Sequence, residues 1–209
     1  MINNTKIKFC GIRTIEVAQS ELLNQADFIG LNFVTSSRRC ITLKFAVEIT
    51  RYLLKNGPKI VGVFQNPSYA TVREVLDLVP LNYLQFHGEE SAEFCSQFDL
   101  PVIKKIQLEP KNTLDKILAK ITPYKMADTI LLEPVYAQEN QTLDFAHLHK
   151  ISRRYRIMIA GGLTPANVGE AITCIRPYAI DVARGIEEKN AISLGKIRDF
   201  LDSIRKTEI

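Results

Sequence analysis

A cysteine at position 10, a glutamate at 133 and paired glycines at 161 and 162 offer the most chemistry in this sequence. Cys10 ends the apolar stretch KIKFC and is followed by Gly11, a residue that leaves a strand-terminal thiol uncovered. A thiol works as a base or nucleophile only where it is reachable and its pKa is lowered; elsewhere a free cysteine is a small packing group. Glu133 closes TILLE. A carboxylate facing a thiol across one opening can act as acid to its base on a single substrate; the structural alternative is a helix cap or a lysine pair. The stretch IAGGLTPANV, 159–168, runs from an apolar strand through Gly161 and Gly162 to a helix start that Thr164 or Asn167 can cap. Paired glycines let backbone N–H groups approach an anion, and a helix N-terminus favours negative charge. The later DVARGIEE adds Gly185 and the charge of Arg184, so two loops carry phosphate features where a tight turn would explain only one. SSRRCIT, 36–42, brings Arg38 and Arg39 into a loop. Their planar forks suit carboxylate or phosphate, or are simply solvated. LQFHGEES sets Gln85 and His87 on one side of a strand by the period of two, the histidine reading as hydrogen-bonded in place with no proton-transfer role. Asp181 stands near the end of AIDVA.

These residues need a scaffold that gathers strand ends, and the chain supplies one. Eight apolar runs recur at 6–10, 28–33, 59–64, 83–87, 102–106, 129–133, 156–160 and 179–183. Most are nearly continuous in apolar residues, as parallel strands covered on both faces are. Between them, FAVEITRYLLKN, YATVREVLDLV and SAEFCSQFDL space apolar residues three and four apart, the stripe of a helix laid on a sheet. Ser68 reads as an N-cap, and Asn56-Gly57 followed by Pro58 reads as a helix end. No linker or low-complexity tract divides the chain, so the expectation is one domain over residues 1–209. Eight strand-helix units favour a closed (β/α)8 TIM barrel of the α/β class over an open doubly wound sheet, and CGIRTIEV lacks the GxGxxG of a dinucleotide fold. In such a barrel the working face lies at the carboxyl ends of the strands, where Cys10, His87, Glu133, the glycine pair and Asp181 all fall.

Composition agrees with an ordinary soluble globular protein: 46% hydrophobic, 24% charged, and a net charge of +4 from 27 basic and 23 acidic residues spread along the chain. No basic tail or stripe marks a nucleic-acid or anionic-membrane surface, and no run approaches a membrane span. Cysteines 10, 40, 95 and 174 show no metal-ligand or CxxC spacing and read as reduced thiols, with Cys95 and Cys174 in helices and Cys40 in a loop. The opening MINNTKIKF lacks the apolar region of a signal peptide, so the expected location is cytoplasmic.

KFCGIRT, GLNFVTSSRRCIT, VGVFQNPS, LQFHGEE, LLE, IAGGLTPANV and DVARGIE with the trailing LGKIRDFL follow one another in an order and spacing that resembles phosphoribosylanthranilate isomerase. The resemblance covers essentially the whole chain. It implies an Amadori rearrangement in tryptophan biosynthesis, from N-(5-phosphoribosyl)anthranilate to 1-(o-carboxyphenylamino)-1-deoxyribulose 5-phosphate, without cofactor or metal. By the same resemblance Cys10 is the general base at ribose C2, and Glu133 the general acid at the ring oxygen. Arg39 would hold the anthranilate carboxylate, while Gly161, Gly162 and Gly185 would offer N–H groups to the phosphate. Asp181 matches a further carboxylate at the family's site, and Gln85 and His87 at the barrel mouth and Arg184 by its charge join the expected substrate-binding set from their own positions. The implied partner is a small phosphoribosyl molecule, with no nucleic acid or membrane and a monomer or homodimer as the assembly. Three departures from the family pattern are visible: Glu133 stands in place of an aspartate, PVYAQENQTLDF has lost the glycines of the loop after strand six, and Ala183-Arg184 replace two serines. One added methylene can move a proton donor by about 1 Å, enough for roughly 100-fold in rate. Isomerisation or epimerisation of another phosphosugar, or a non-catalytic phosphosugar-binding barrel, therefore stay open as alternatives.

Overall fold

The structure, a computed structural model, describes residues 5–53, 57–109, 112–134 and 145–207. The glycine-free stretch at 135–144 and the helix-end signal at Asn56 lie outside the described residues. Eight parallel strands close into a barrel in chain order. They are β1 (Lys6–Cys10), β2 (Phe28–Asn32), β3 (Lys59–Phe64), β4 (Tyr83–Phe86), β5 (Val102–Leu108), β6 (Thr129–Pro134), β7 (Ile157–Ile159) and β8 (Ala179–Val182). All eight expected strands form, and β1 pairs with β8 to seal the ring.

Eight helices occupy the outside among the described residues: α1 (Ile15–Ala18), α2 (Leu43–Leu53), α3 (Tyr69–Leu78), α4 (Ala92–Cys95), α5 (Leu114–Ile121), α6 (Phe145–Ser152), α7 (Val168–Ile175) and α8 (Leu194–Arg205). Ser68 caps α3 as expected, accepting from Thr71 N. The helix expected over 91–100 lasts a single turn. Phe94 and Phe98 instead pack edge-on against each other and both meet Phe86, and Pro101 disfavours helical geometry in the residue before it. A hairpin of β9 (Glu187–Glu188) and β10 (Ala191–Ile192), absent from the sequence reading, follows the eighth strand. Its turn residues Lys189 and Asn190 both have positive φ, the geometry of a two-residue turn that matches strand twist.

Alternation along the strands divides the core in two. Phe28, Val61, Ile103, Leu131, Met158, Ala160 and Ala179 fill the barrel interior. Their neighbours one residue along, such as Ile29, Ile60, Ile130, Leu132 and Ile180, face outward into a larger layer shared with the helices. Above the interior plug the inward positions turn polar, and there a cavity opens.

Candidate active site

On β1 the period of two sends Lys8 and Cys10 to the same, inward side. Parallel register then selects their neighbours: Lys8 stands opposite Asp181 on β8, and Cys10 opposite Gly30 on β2. Lys8 is fully buried, and its Nζ donates to Asp181 Oδ1 at 2.9 Å. Burial alone would pull the ammonium down, but Asp181 and the Cys10 sulfur outweigh it, so the lysine pKa is raised and the group is a cation.

Room for the sulfur comes from Gly30. A Cβ at that position would sit 2.7 Å from Cys10 Sγ and 3.0 Å from Lys8 Nζ, too close for either. Gly11, the residue that the sequence reading credited with uncovering the thiol, does something else. It adopts φ 87°, and a Cβ there would meet the Arg39 side chain at 2.7 Å, so it makes space for the arginine. Burial pushes the Cys10 thiol up; Lys8 pulls it down, Asp181 adds to the rise, Arg39 pulls it down as well, and the net direction is upward. In the free protein Cys10 therefore rests as a thiol, and the lowering that a base requires comes from Lys8 and Arg39 against a larger desolvation.

Across the barrel, Glu133 at the end of β6 lies with Oε2 3.1 Å from His87 Nε2. Burial would raise this carboxyl, but the hydrogen bond and charge of His87, with Lys105 and Lys8 farther off, carry it below the ordinary carboxylate value. The histidine ring is held on its other side by Gln85, whose Nε2 is 3.3 Å from Nδ1. Gln85 leaves its buried Oε1 without a hydrogen-bond partner, an acceptor open to a ligand hydroxyl.

Arg39 sits at the rim and gives its Nε and one Nη to Glu187 at 2.7 and 2.9 Å, a two-point pair that raises the guanidinium and lowers the carboxylate. Arg38 binds the same carboxylate at 2.5 Å. One edge of the Arg39 fork is thus engaged by the protein, and a ligand carboxylate must meet the other edge. The bend after β7 has positive φ at both Gly161 and Gly162, 83° and 63°. Of the two expected caps, Asn167 takes the N-cap position of α7 without a side-chain cap bond and ties the bend together: its side chain accepts from Thr164 N and donates to Gly162 O. Gly185 packs so closely on this bend that a Cβ would lie 2.0 Å from Leu163 O.

One cavity of about 610 Å³ unites these groups, lined by Cys10, Arg39, Gln85, His87, Glu133, Gly161, Gly162, Asp181, Arg184 and Gly185 together. Of the two loop arginines read from the sequence, Arg39 borders it and Arg38 does not. Lys105 and Gln107 of β5 also line it, Lys105 Nζ lying 3.2 Å from Gln107 Oε1. Sequence reasoning passed over these two along with Lys8 and Gly30, although lysines inside apolar strand runs were the signal that could have found two of them. Among the described residues no cluster of His, Cys, Asp or Glu could hold a metal ion, and no helix is long and apolar enough to cross a membrane. Cys95 is buried in α4 and Cys174 exposed on α7, as expected of packing and surface positions.

A family model described as N-(5'phosphoribosyl)anthranilate (PRA) isomerase matches residues 7–203. An N-(5'-phosphoribosyl)anthranilate isomerase of Pseudomonas paraeruginosa is 38% identical over 207 residues, 96% of this chain and 95% of that protein. The crystal structure of phosphoribosyl anthranilate isomerase from Thermotoga maritima superposes with a TM-score of 0.85 at 29% identity, covering 97% of this chain and 99% of the other. A crystal structure of a phosphoribosyl anthranilate isomerase in complex with reduced 1-(o-carboxyphenylamino)-1-deoxyribulose 5-phosphate gives 0.83 at 29% identity with the same coverage.

Proposed function

The chain belongs to the phosphoribosylanthranilate isomerase family, and on that premise we propose how its own residues divide the work. The reaction is the isomerisation of N-(5-phosphoribosyl)anthranilate to 1-(o-carboxyphenylamino)-1-deoxyribulose 5-phosphate in tryptophan biosynthesis. Glu133 delivers a proton to the ribose ring oxygen while the anilino nitrogen lone pair forms the C1=N bond, opening the ring to a Schiff base. That proton is shared across the 3.1 Å contact with His87, because a carboxylate held low by its neighbour is a poor donor alone. Cys10, as thiolate, then removes the C2 hydrogen and leaves an enolamine. Gain of a proton at C1 and loss of one from the C2 hydroxyl complete the ketone.

The phosphate is held at the Gly161-Gly162 bend and Gly185, with the charge of Arg184 beside it, and the anthranilate carboxylate meets the open edge of Arg39. Gln85 accepts from a ribose hydroxyl. The observation that carries this division is the shared cavity, which brings a thiol of β1 and a carboxylate of β6 over one glycine-lined bend. A single (β/α)8 unit over 1–209 supplies every group named, so one subunit suffices for turnover whether the chain acts as monomer or homodimer. A phosphorylated small substrate and unpaired cysteines fit a cytoplasmic enzyme.

Purified protein should convert phosphoribosylanthranilate, followed by the fall in anthranilate fluorescence, and Cys10→Ala should remove that conversion. Absence of turnover by the unaltered chain at high enzyme concentration, or full activity in Cys10→Ala, defeats the proposal and favours another phosphosugar or a binding role.

A further inference from the structure

Lys8 has no part in the mechanism just described, yet among the described residues it is the one cation wholly inside the barrel wall beside the base. Its side chain is 0% exposed. Placing an ammonium there carries a large desolvation penalty, whereas an apolar side chain of the same length would fill the space without it. Ordinary stabilisation therefore gives a weak reason for a lysine at this position.

The local geometry gives a stronger one. Lys8 Nζ and Cys10 Sγ border the same void, the one left by the missing Cβ of Gly30, lying 3.0 and 2.7 Å from where that atom would sit. Asp181, the direct cross-strand neighbour of Lys8, accepts from the same ammonium at 2.9 Å. Two potential anions thus compete for one buried cation. The other charges around the cavity are paired among themselves or stand elsewhere on its lining: Arg39 is matched by Glu187 and Glu133 by His87, and Lys105 and Arg184 also border it.

We propose that Lys8 is a positioning residue that makes the Cys10 thiolate attainable, and that Asp181 sets how readily by drawing on the same ammonium. The inference rests on Cys10 as the base and adds what governs its charge. When Cys10 loses its proton, Lys8 is the counter-ion; while Cys10 is a thiol, Asp181 keeps Lys8 charged and in place. The two partners of the lysine therefore oppose one another, and removing them moves the thiol in opposite directions.

The test is the rate of Cys10 alkylation by iodoacetamide against pH, resolved by peptide mass spectrometry, without substrate. Lys8→Met should move the alkylation midpoint upward by about one pH unit or more, and Asp181→Asn should move it downward. Turnover at neutral pH should fall at least about tenfold in kcat for Lys8→Met, with KM little changed and activity partly recovered at higher pH. If Lys8→Met fails to fold because Asp181 is left unpaired, Lys8→Met with Asp181→Asn keeps the charge balanced, and its midpoint should still lie above that of Asp181→Asn alone. Midpoints that stay put, shifts in the same direction for both single variants, or a Cys10 that never alkylates, all overturn the proposal. Because alkylation needs no substrate, a Lys8-dependent midpoint in a chain that fails to isomerise phosphoribosylanthranilate would defeat the proposed function and leave this inference standing.

Discussion

The barrel wall separates two sites that each combine a lysine, a carboxylate and a cysteine. Inside, Lys8 pairs with Asp181 beside Cys10; outside, Lys104 pairs with Glu90 near Cys95. Both lysines are buried, and both ion pairs are short, 2.9 and 2.8 Å. Around Lys104 the hydrogen-bonding capacity is used up. Its Nζ also donates to Gly88 O at 2.5 Å and lies 5.4 Å from the Tyr124 ring, while Glu90 accepts from Asn66 N and Gly88 N. This outer triad locks the β4–α4 loop immediately after His87. Its cysteine, pushed up to about 11 by burial, does not border the site cavity, whereas Cys10 opens onto it. A buried ion pair whose donors and acceptors are all used serves rigidity; one that leaves a donor facing a thiol and a void can serve chemistry.

The sharpest way to break this contrast is to remove each cysteine. Cys10→Ala should lose about 10³-fold or more in kcat, while Cys95→Ala should leave kcat within about threefold and register only as a loss of stability. Equal kinetic losses would erase the distinction. Next in size, Lys104→Met strands Glu90 and should cost about 3–5 kcal/mol in urea unfolding, with Lys104→Met plus Glu90→Gln recovering much of it. The Cys10 alkylation midpoint should not move in either. Gly30→Ala tests the void itself: a methyl 2.7 Å from Sγ should cost about 1–3 kcal/mol of stability and roughly 10- to 100-fold in kcat/KM.

The smallest effect belongs to the rim, where the partly exposed Arg38 and Arg39 meet Glu187 in a third charged cluster. Its carboxyl is lowered in the fold, so the pair contributes stability above the ordinary value of about 4.5 and loses it as the pH falls through the lowered one. Glu187→Gln should flatten that acid limb in a thermal unfolding series and change stability at neutral pH by about 1 kcal/mol or less. A steeper acid limb in the variant would contradict the assignment.

Much of the barrel was legible in the chain because strands and crossover helices leave local signals. Eight apolar runs, the Ser68 cap and the GlyGly bend each depend on residues a few positions apart, and each is found where it was read. Strand ends in a (β/α)8 fold share one face, so the thiol, the carboxylate and the glycines could be assigned to one opening before any contact was known. The short α4 and the β9–β10 hairpin escaped because aromatic packing and a two-residue turn outweighed weak local preference.

What only the tertiary structure decided is who stands beside whom. Period two says that Lys8 and Cys10 share a face, and that Lys104 and Lys105 do not, but it is silent on which face looks inward. Register across the closing seam brings Lys8 against Asp181, 173 residues away in sequence, and places Gly30 rather than Gly11 under the sulfur. The Glu133–His87 and Arg39–Glu187 pairs arise in the same way, from strands and loops that meet only when the sheet closes. Local patterns fix the elements because their energetics are local; the charge on a thiol depends on desolvation and on ions within a few ångströms, and those distances exist only in the closed ring.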